Sequence, residues 1–182
     1  MTTLVRPKWA QRNALMQDYY DHHWGLPIHD DYQLFEMLSL EIFEAGLNWS
    51  MVWKRRQAFE DAFANFDFRE IAFFDDDKIY ELAQNSRIIR NHRKIMAVVK
   101  NARLVALMAD SGTSLDNYLW EMVGGQPLPS PVPLGEALPL RTAASTNVAQ
   151  QMKADGFSRV GPATAMSLMA AVGMIDVKHL NK

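Results

Sequence analysis

Glu41 is a carboxylate in an apolar setting. Along a helix turning about 100° per residue, Leu34, Phe35, Leu38, Ile42 and Ala45 share one face and Met37 extends it. Glu41 falls inside that arc, Glu44 sits at its edge, and Gln33 and Glu36 lie well away from it. A buried carboxylate must be paired, hydrogen-bonded or protonated. Glu41 is therefore either a core acid held by an arginine or a helix N-terminus, or a site residue. Aromatic residues crowd it in sequence, with Tyr19, Tyr20 and Trp24 before it and Trp49 and Trp53 after it. One acid among aromatic faces suits a flat, hydrogen-bonding, cationic ligand. The competing reading makes Tyr19 and Trp49 ordinary core aromatics.

A second constellation is basic. Arg87, Arg90, His92, Arg93, Lys94, Lys100 and Arg103 form the densest run of cations, and Lys54, Arg55 and Arg56 form another. The first run surrounds a short turn over residues 85–90, between a helix at 78–84 and one opening at Asn91. Hairpins of this kind offer backbone N–H groups and the positive end of the second helix to a phosphate. Arg87, Arg90, Asn91, Arg93 and Lys94 are the candidate DNA contacts. A solvated helix face is the plainer alternative.

The elements that must position these groups read as helical almost throughout. Asp30 or Asp31 caps a helix over 32–45 and Gly46 closes it; Asn48 caps another over 49–65. An acidic turn at 75–77 precedes the helix at 78–84, and residues 92–108 carry Ile95, Val98, Val99, Ala102 and Ala106 at three-and-four spacing. Ser114 caps 115–123. Glycines and prolines make 124–139 an extended connector. Ser145 caps a helix running to Ala154, and Pro162 opens a last one ending near Gly173. The fold class is all-α, with a helix–hairpin–helix over about 78–108. Residues 1–182 are expected to form a single domain of two helical lobes, its N- and C-terminal segments packed together.

Composition narrows the setting. A formal net charge of −2 gives no global attraction to polyanions, so any DNA contact must come from a local patch. The absence of cysteine excludes disulfides and thiol chemistry and fits a cytoplasmic protein. The first residues carry no apolar signal-like run, and no stretch reaches membrane-spanning length.

The segment from Tyr19 to Arg56, YYDHHWGLPIHDDYQLFEMLSLEIFEAGLNWSMVWKRR, resembles the signature of the 3-methyladenine DNA glycosylase I family of bacteria. The shared pattern is Tyr-x-Asp-x-x-Trp-Gly-x-Pro up to Pro27, Leu34-Phe35-Glu36-Met37 through Glu41, Ala45-Gly46-Leu47-x-Trp49, and the basic residues Lys54 to Arg56. It continues through Ile88-Ile89-Arg90, Lys94-Ile95, Asn101-Ala102, Gly156-Phe157 and Val160-Gly161-Pro162, and so spans nearly the whole chain. The resemblance implies a monofunctional glycosylase that flips N3-methylated adenine out of alkylated double-stranded DNA and releases it by hydrolysis as free 3-methyladenine. It implies a monomer in which Tyr19, Trp49 and Glu41 read and stack the base, with Glu44 beside them. Glu41 then serves recognition and electrostatic stabilisation, with activation of water as a lesser role. No lysine lies in the pocket-forming segment, against a Schiff-base lyase. The rival from another class is a non-catalytic DNA- or nucleobase-binding helical module.

The chain departs from the family at three places. Glu44 stands where an amide-bearing or neutral residue is common, and two carboxylates one turn apart raise one pKa if both face a pocket. Arg87 replaces the hairpin glycine. The family's zinc, held by two Cys and two His, is expected to be lost. Pro7 and Tyr20 occupy two ligand places, the chain ends at Lys182 before the final Cys, and His179 is offset by one residue. His22 and His23 read as ordinary surface histidines. No cofactor is expected, and packing of Pro7, Trp9 and Tyr20 is the expected substitute for the metal.

Overall fold

The computed structural model describes residues 5–180. Its order is α1 (Ala14–His22), α2 (Asp31–Glu44), α3 (Trp49–Trp53), α4 (Arg56–Ala62), a 3-10 turn (Ala64–Phe66), α5 (Phe68–Ile71), α6 (Asp76–Gln84), α7 (His92–Asp110) and α8 (Leu115–Glu121). After β1 (Leu128–Pro129) come α9 (Ala143–Ala154), α10 (Pro162–Ala171) and β2 (Ile175–Asp176). Apart from the two short strands, every regular element of the described chain is a helix, as its patterning implies.

Helix α2 is the axle of the fold. The Asp30 carboxylate accepts from Gln33 N, and Gly46 follows its end at φ +79°. Every residue from Leu34 to Phe43 is buried, because α3, α7, α8, α10 and the 3-10 turn pack around it. A helix covered on all sides must bury its polar residues too. Glu36 is therefore 8 % exposed, contrary to its place outside the apolar arc. Its carboxylate takes a two-pronged hydrogen bond from Arg56, at 2.6 and 3.0 Å. That pair removes Arg56 from the second basic patch.

Several boundaries differ from those expected. The continuous helix over 49–65 breaks into α3, α4 and the 3-10 turn, where Ala64, Asn65 and Phe66 adopt φ of 50–56°. Burial of Phe59, Phe63 and Phe66 accompanies this left-handed backbone and outweighs its strain. Asp75 caps α6, which begins at Asp76, two residues before the expected start. The cap of α9 is Thr142, in a reciprocal capping box with Ser145. Helices α1 and α5 are not anticipated by apolar periodicity.

The two ends of the described chain interlock. Gly25 N donates to Ala171 O at 2.9 Å and Ile28 N to Val172 O at 3.1 Å. Gly173 makes the approach possible: at φ +78°, a Cβ there would lie 2.5 Å from Pro27 N. Strand β1 pairs in parallel with β2, binding the connector to the same end. Arg6 grips Asp21 at 2.7 and 2.8 Å, the Tyr20 hydroxyl donates to Val5 O, and Lys178 donates to the Tyr20 carbonyl over the Tyr20 ring. Pro7 is buried, and Trp9 meets Tyr20 edge-on at 5.7 Å, so the expected apolar packing is joined by an ionic clasp.

Candidate functional site

A cleft of about 790 Å³ opens between the N-terminal segment, the C-terminal half of α2, the start of α3, and α10. Tyr19, Glu41, Glu44 and Trp49 all line it, together with Trp9, Trp24, Leu138, Ser167 and Ala170. Glu41 is 4 % exposed, and its carboxylate makes no ion pair or hydrogen bond with another described residue. Burial, and then the neighbouring Glu44, push its carboxyl well above the ordinary carboxylate range. Glu44 is half-buried; burial raises its pKa as well, and Lys94 works against that rise. Both acids line one cleft, and burial disfavours the charged form of each.

Two more polar groups are left open beside them. Among the described residues, the Tyr19 hydroxyl and the Trp49 indole N–H are buried without hydrogen-bond partners. Tyr19 is 1 % exposed, and burial followed by the nearby Glu41 raises its pKa, which keeps it protonated. The cleft thus combines an acid, a hydroxyl and an indole donor, groups that ordinarily are satisfied when buried.

Aromatic rings fix this geometry. Tyr19 lies 5.3 Å from Trp49 and 4.3 Å from Trp53, while Trp53 and Trp49 are nearly parallel at 6.1 Å. The Arg56 guanidinium, held by Glu36, covers Trp53 at 4.7 Å. Trp9 and Trp24 form the opposite aromatic pair at 5.3 Å. Ser167 and the Glu36–Arg56 support have no signal in local spacing, since each acts through a contact made only by the fold.

The hairpin divides the candidate DNA residues. Arg90 and Arg93 are exposed and without an ion pair among the described residues. Arg87 is exposed but donates to Asp61 at 2.7 Å. The Asn91 side chain caps α7 by accepting from Lys94 N, so its Oδ1 is engaged in holding the helix. Lys94 is a correction. Its side chain is 4 % exposed and points inward to Phe43 O and Ala45 O, each at 2.7 Å, because those carbonyls end α2 without helical partners. It cannot touch a phosphate in this conformation. Arg103 likewise serves structure, donating to Ala72 O and Phe74 O.

The residues at the family's zinc positions do not fit a metal. Pro7 offers no ligand, and the Tyr20 hydroxyl is spent on Val5 O. Among the described residues no cluster of three or more His, Cys, Asp or Glu side chains could hold an ion.

Residues 9–182 match the family model of methyladenine glycosylase. A DNA-3-methyladenine glycosylase of Haemophilus influenzae is 35 % identical over 181 residues, covering 100 % of this chain and 96 % of that protein. A crystal structure of 3-methyladenine DNA glycosylase I superposes with a TM-score of 0.89 at 35 % identity, covering 94 % of each chain. A variant of 3-methyladenine DNA glycosylase I crystallised in complex with 3-methyladenine gives 0.87 at 26 % identity, over 100 % of this chain and 96 % of that one.

Proposed function

The chain belongs to the methyladenine glycosylase family, and from that premise we propose how its cleft selects and releases N3-methylated adenine from alkylated DNA. Methylation at N3 places a positive charge on the base while it is still joined to deoxyribose. Cleavage of the C1′–N9 bond returns that bonding pair to the ring, so the base departs as neutral 3-methyladenine. Water adds to C1′ and loses a proton, completing hydrolysis. The leaving group is activated before it arrives, and the protein's main task is to choose and hold it.

Glu41 is assigned that choice. Its carboxylate accepts from the exocyclic amine edge and complements the positive charge, while Trp49 and Tyr19 supply a stacking face and further hydrogen bonds. The observation that carries the reading is a buried acid whose carboxylate has no partner among the described residues, beside a buried hydroxyl and indole N–H that have none there either. Neutral adenine lacks the charge that would repay Glu41 for losing water. Glu44, facing the same cleft, adds negative potential and favours a cationic base. Arg90 and Arg93, with the free amides opening α7, are assigned to backbone phosphates, and Arg87 joins them by exchanging Asp61 for DNA.

We take residues 1–182 as one glycosylase domain acting as a monomer without a metal. A cysteine-free sequence suits the reducing cytoplasm. The direct test is incubation with methylated duplex DNA and chromatography of the released bases. Release of 3-methyladenine by the native protein, greatly reduced in Glu41→Gln, is the expected outcome.

A further inference from the structure

Lys94 occupies a costly place. It is the third residue of α7, at the positive end of a 19-residue helix where cations are unfavourable. It is buried, and no carboxylate lies within ion-pair distance of its ammonium among the described residues. What holds it is the other end of another helix. Its Nζ donates to Phe43 O and Ala45 O at 2.7 Å, across 51 and 49 residues of sequence. At Ala45 the backbone turns out of the helix to φ −46°, ψ 117°, and Gly46 then reverses it at φ +79°. Those two carbonyls flank Glu44, and Glu41 lies one turn before it.

We propose that Lys94 is a positioning residue for excision: it locks the exit of α2, and so sets how Glu41 and Glu44 present themselves to the base. This rests on the site reading given above and assigns that site a support reaching it from the DNA-facing hairpin. The hairpin at 85–91 leads directly into α7, so one ammonium ties the element that meets DNA to the acids that meet the base. Lys94 is also the cation that opposes the burial-driven rise of the Glu44 pKa. The charged groups around this turn are Glu41 and Glu44 on α2, Lys94 on α7, Arg159 before α10, and Arg12 at the cleft wall. Loss of the Lys94 charge therefore makes Glu44 easier to protonate.

The test compares Lys94→Met with the native protein. Free 3-methyladenine is titrated by calorimetry across the acidic to neutral range, and undamaged duplex is titrated at several salt concentrations. Removal of two charged hydrogen bonds should weaken base affinity at least about tenfold, with undamaged-DNA affinity and its salt slope unchanged. The acid limb of base binding should also move to higher pH, and adding Glu44→Gln should abolish that movement. A structural strut alone would lower the melting temperature and leave the acid limb in place. That result overturns the proposal, as does a salt slope reduced by about one with base affinity intact, the signature of a phosphate contact. Should Lys94→Met fail to fold, Lys94→Gln, which keeps an amide donor but no charge, is read by the same criteria. A native protein that does not bind the base sinks the site reading and this assignment together; native binding with an indifferent Lys94 sinks only the latter.

Discussion

Replacing Glu41 by glutamine should make the protein more stable and less able to hold its base. In the free protein the Glu41 carboxyl is buried, unpaired among the described residues and close to Glu44, so its folded pKa lies well above the value of 4.5 for an exposed glutamate. The folded state therefore binds the proton more tightly than the unfolded state. Below 4.5 both states are protonated and the group is neutral to stability. As pH rises from there to the raised folded value, each unit removes about 1.4 kcal/mol, and the loss is complete above that value. Glutamine does not ionise and escapes the loss. The variant should melt higher than the native protein at neutral pH, by about 2–4 °C for each kcal/mol recovered in a chain of this size, and the two should converge in acid. Base binding should move the other way. Exchange of a charge-assisted hydrogen bond for a neutral one costs about 1.5–3 kcal/mol, or about ten- to a hundredfold in affinity. Thermal melts across pH, with calorimetric titration of 3-methyladenine, read both quantities on the same samples. A Glu41→Gln protein that melts lower at neutral pH would mean that the acid has a partner within the fold. Unchanged base affinity would remove it from recognition.

Other perturbations separate the remaining parts. Charge reversal at Arg90 or Arg93 should weaken binding to undamaged duplex and lower its salt slope by about one per lost contact, without changing affinity for the free base. Trp49→Ala and Tyr19→Phe should do the opposite; arginine reversals without effect on affinity or slope would move DNA binding to another surface. Elemental analysis should find no stoichiometric zinc, and a chelator should leave the melting temperature unchanged; about one zinc per chain would point to His22, His23 and His179. Gly173→Ala should destabilise the fold by more than about 2 kcal/mol, because its Cβ would strike Pro27 N at 2.5 Å and its φ is +78°. A melting temperature within a degree or so of native would show that the loop yields instead.

Local signals carried the reading as far as local physics reaches. The caps at Asp30, Asn48 and Ser114 are visible in sequence because each bonds within its own first turn. Glu41 stood out because a charge in an apolar arc is a one-helix pattern. Glu36 did not, since its burial depends on α4 bringing Arg56 across twenty positions. Lys94 looked like one more cation in a basic run, and only the arrival of the α2 carbonyls turns it inward. The left-handed turn at Ala64–Phe66 follows from where Phe63 and Phe66 must go, which periodicity cannot express.

The clasp between residues 25–28 and 171–173 also fixes a timetable. Tyr19, Glu41 and Trp49 are made early, but the wall bearing Ser167 and Ala170 is made late. The bonds from Gly25 and Ile28 wait for Ala171 and Val172. A nascent chain can therefore build the α2 hub and its neighbours while it still lacks a closed recognition chamber. Contacts of such long sequence separation form slowly, so the chamber should be among the last features to mature on the ribosome. Once formed, it couples occupancy to integrity: on the proposed reading, a bound base should stabilise the closed chain by an amount that grows with the logarithm of its concentration above Kd. Retention of 3-methyladenine should then report that residues 171–173 have docked on residues 25–28.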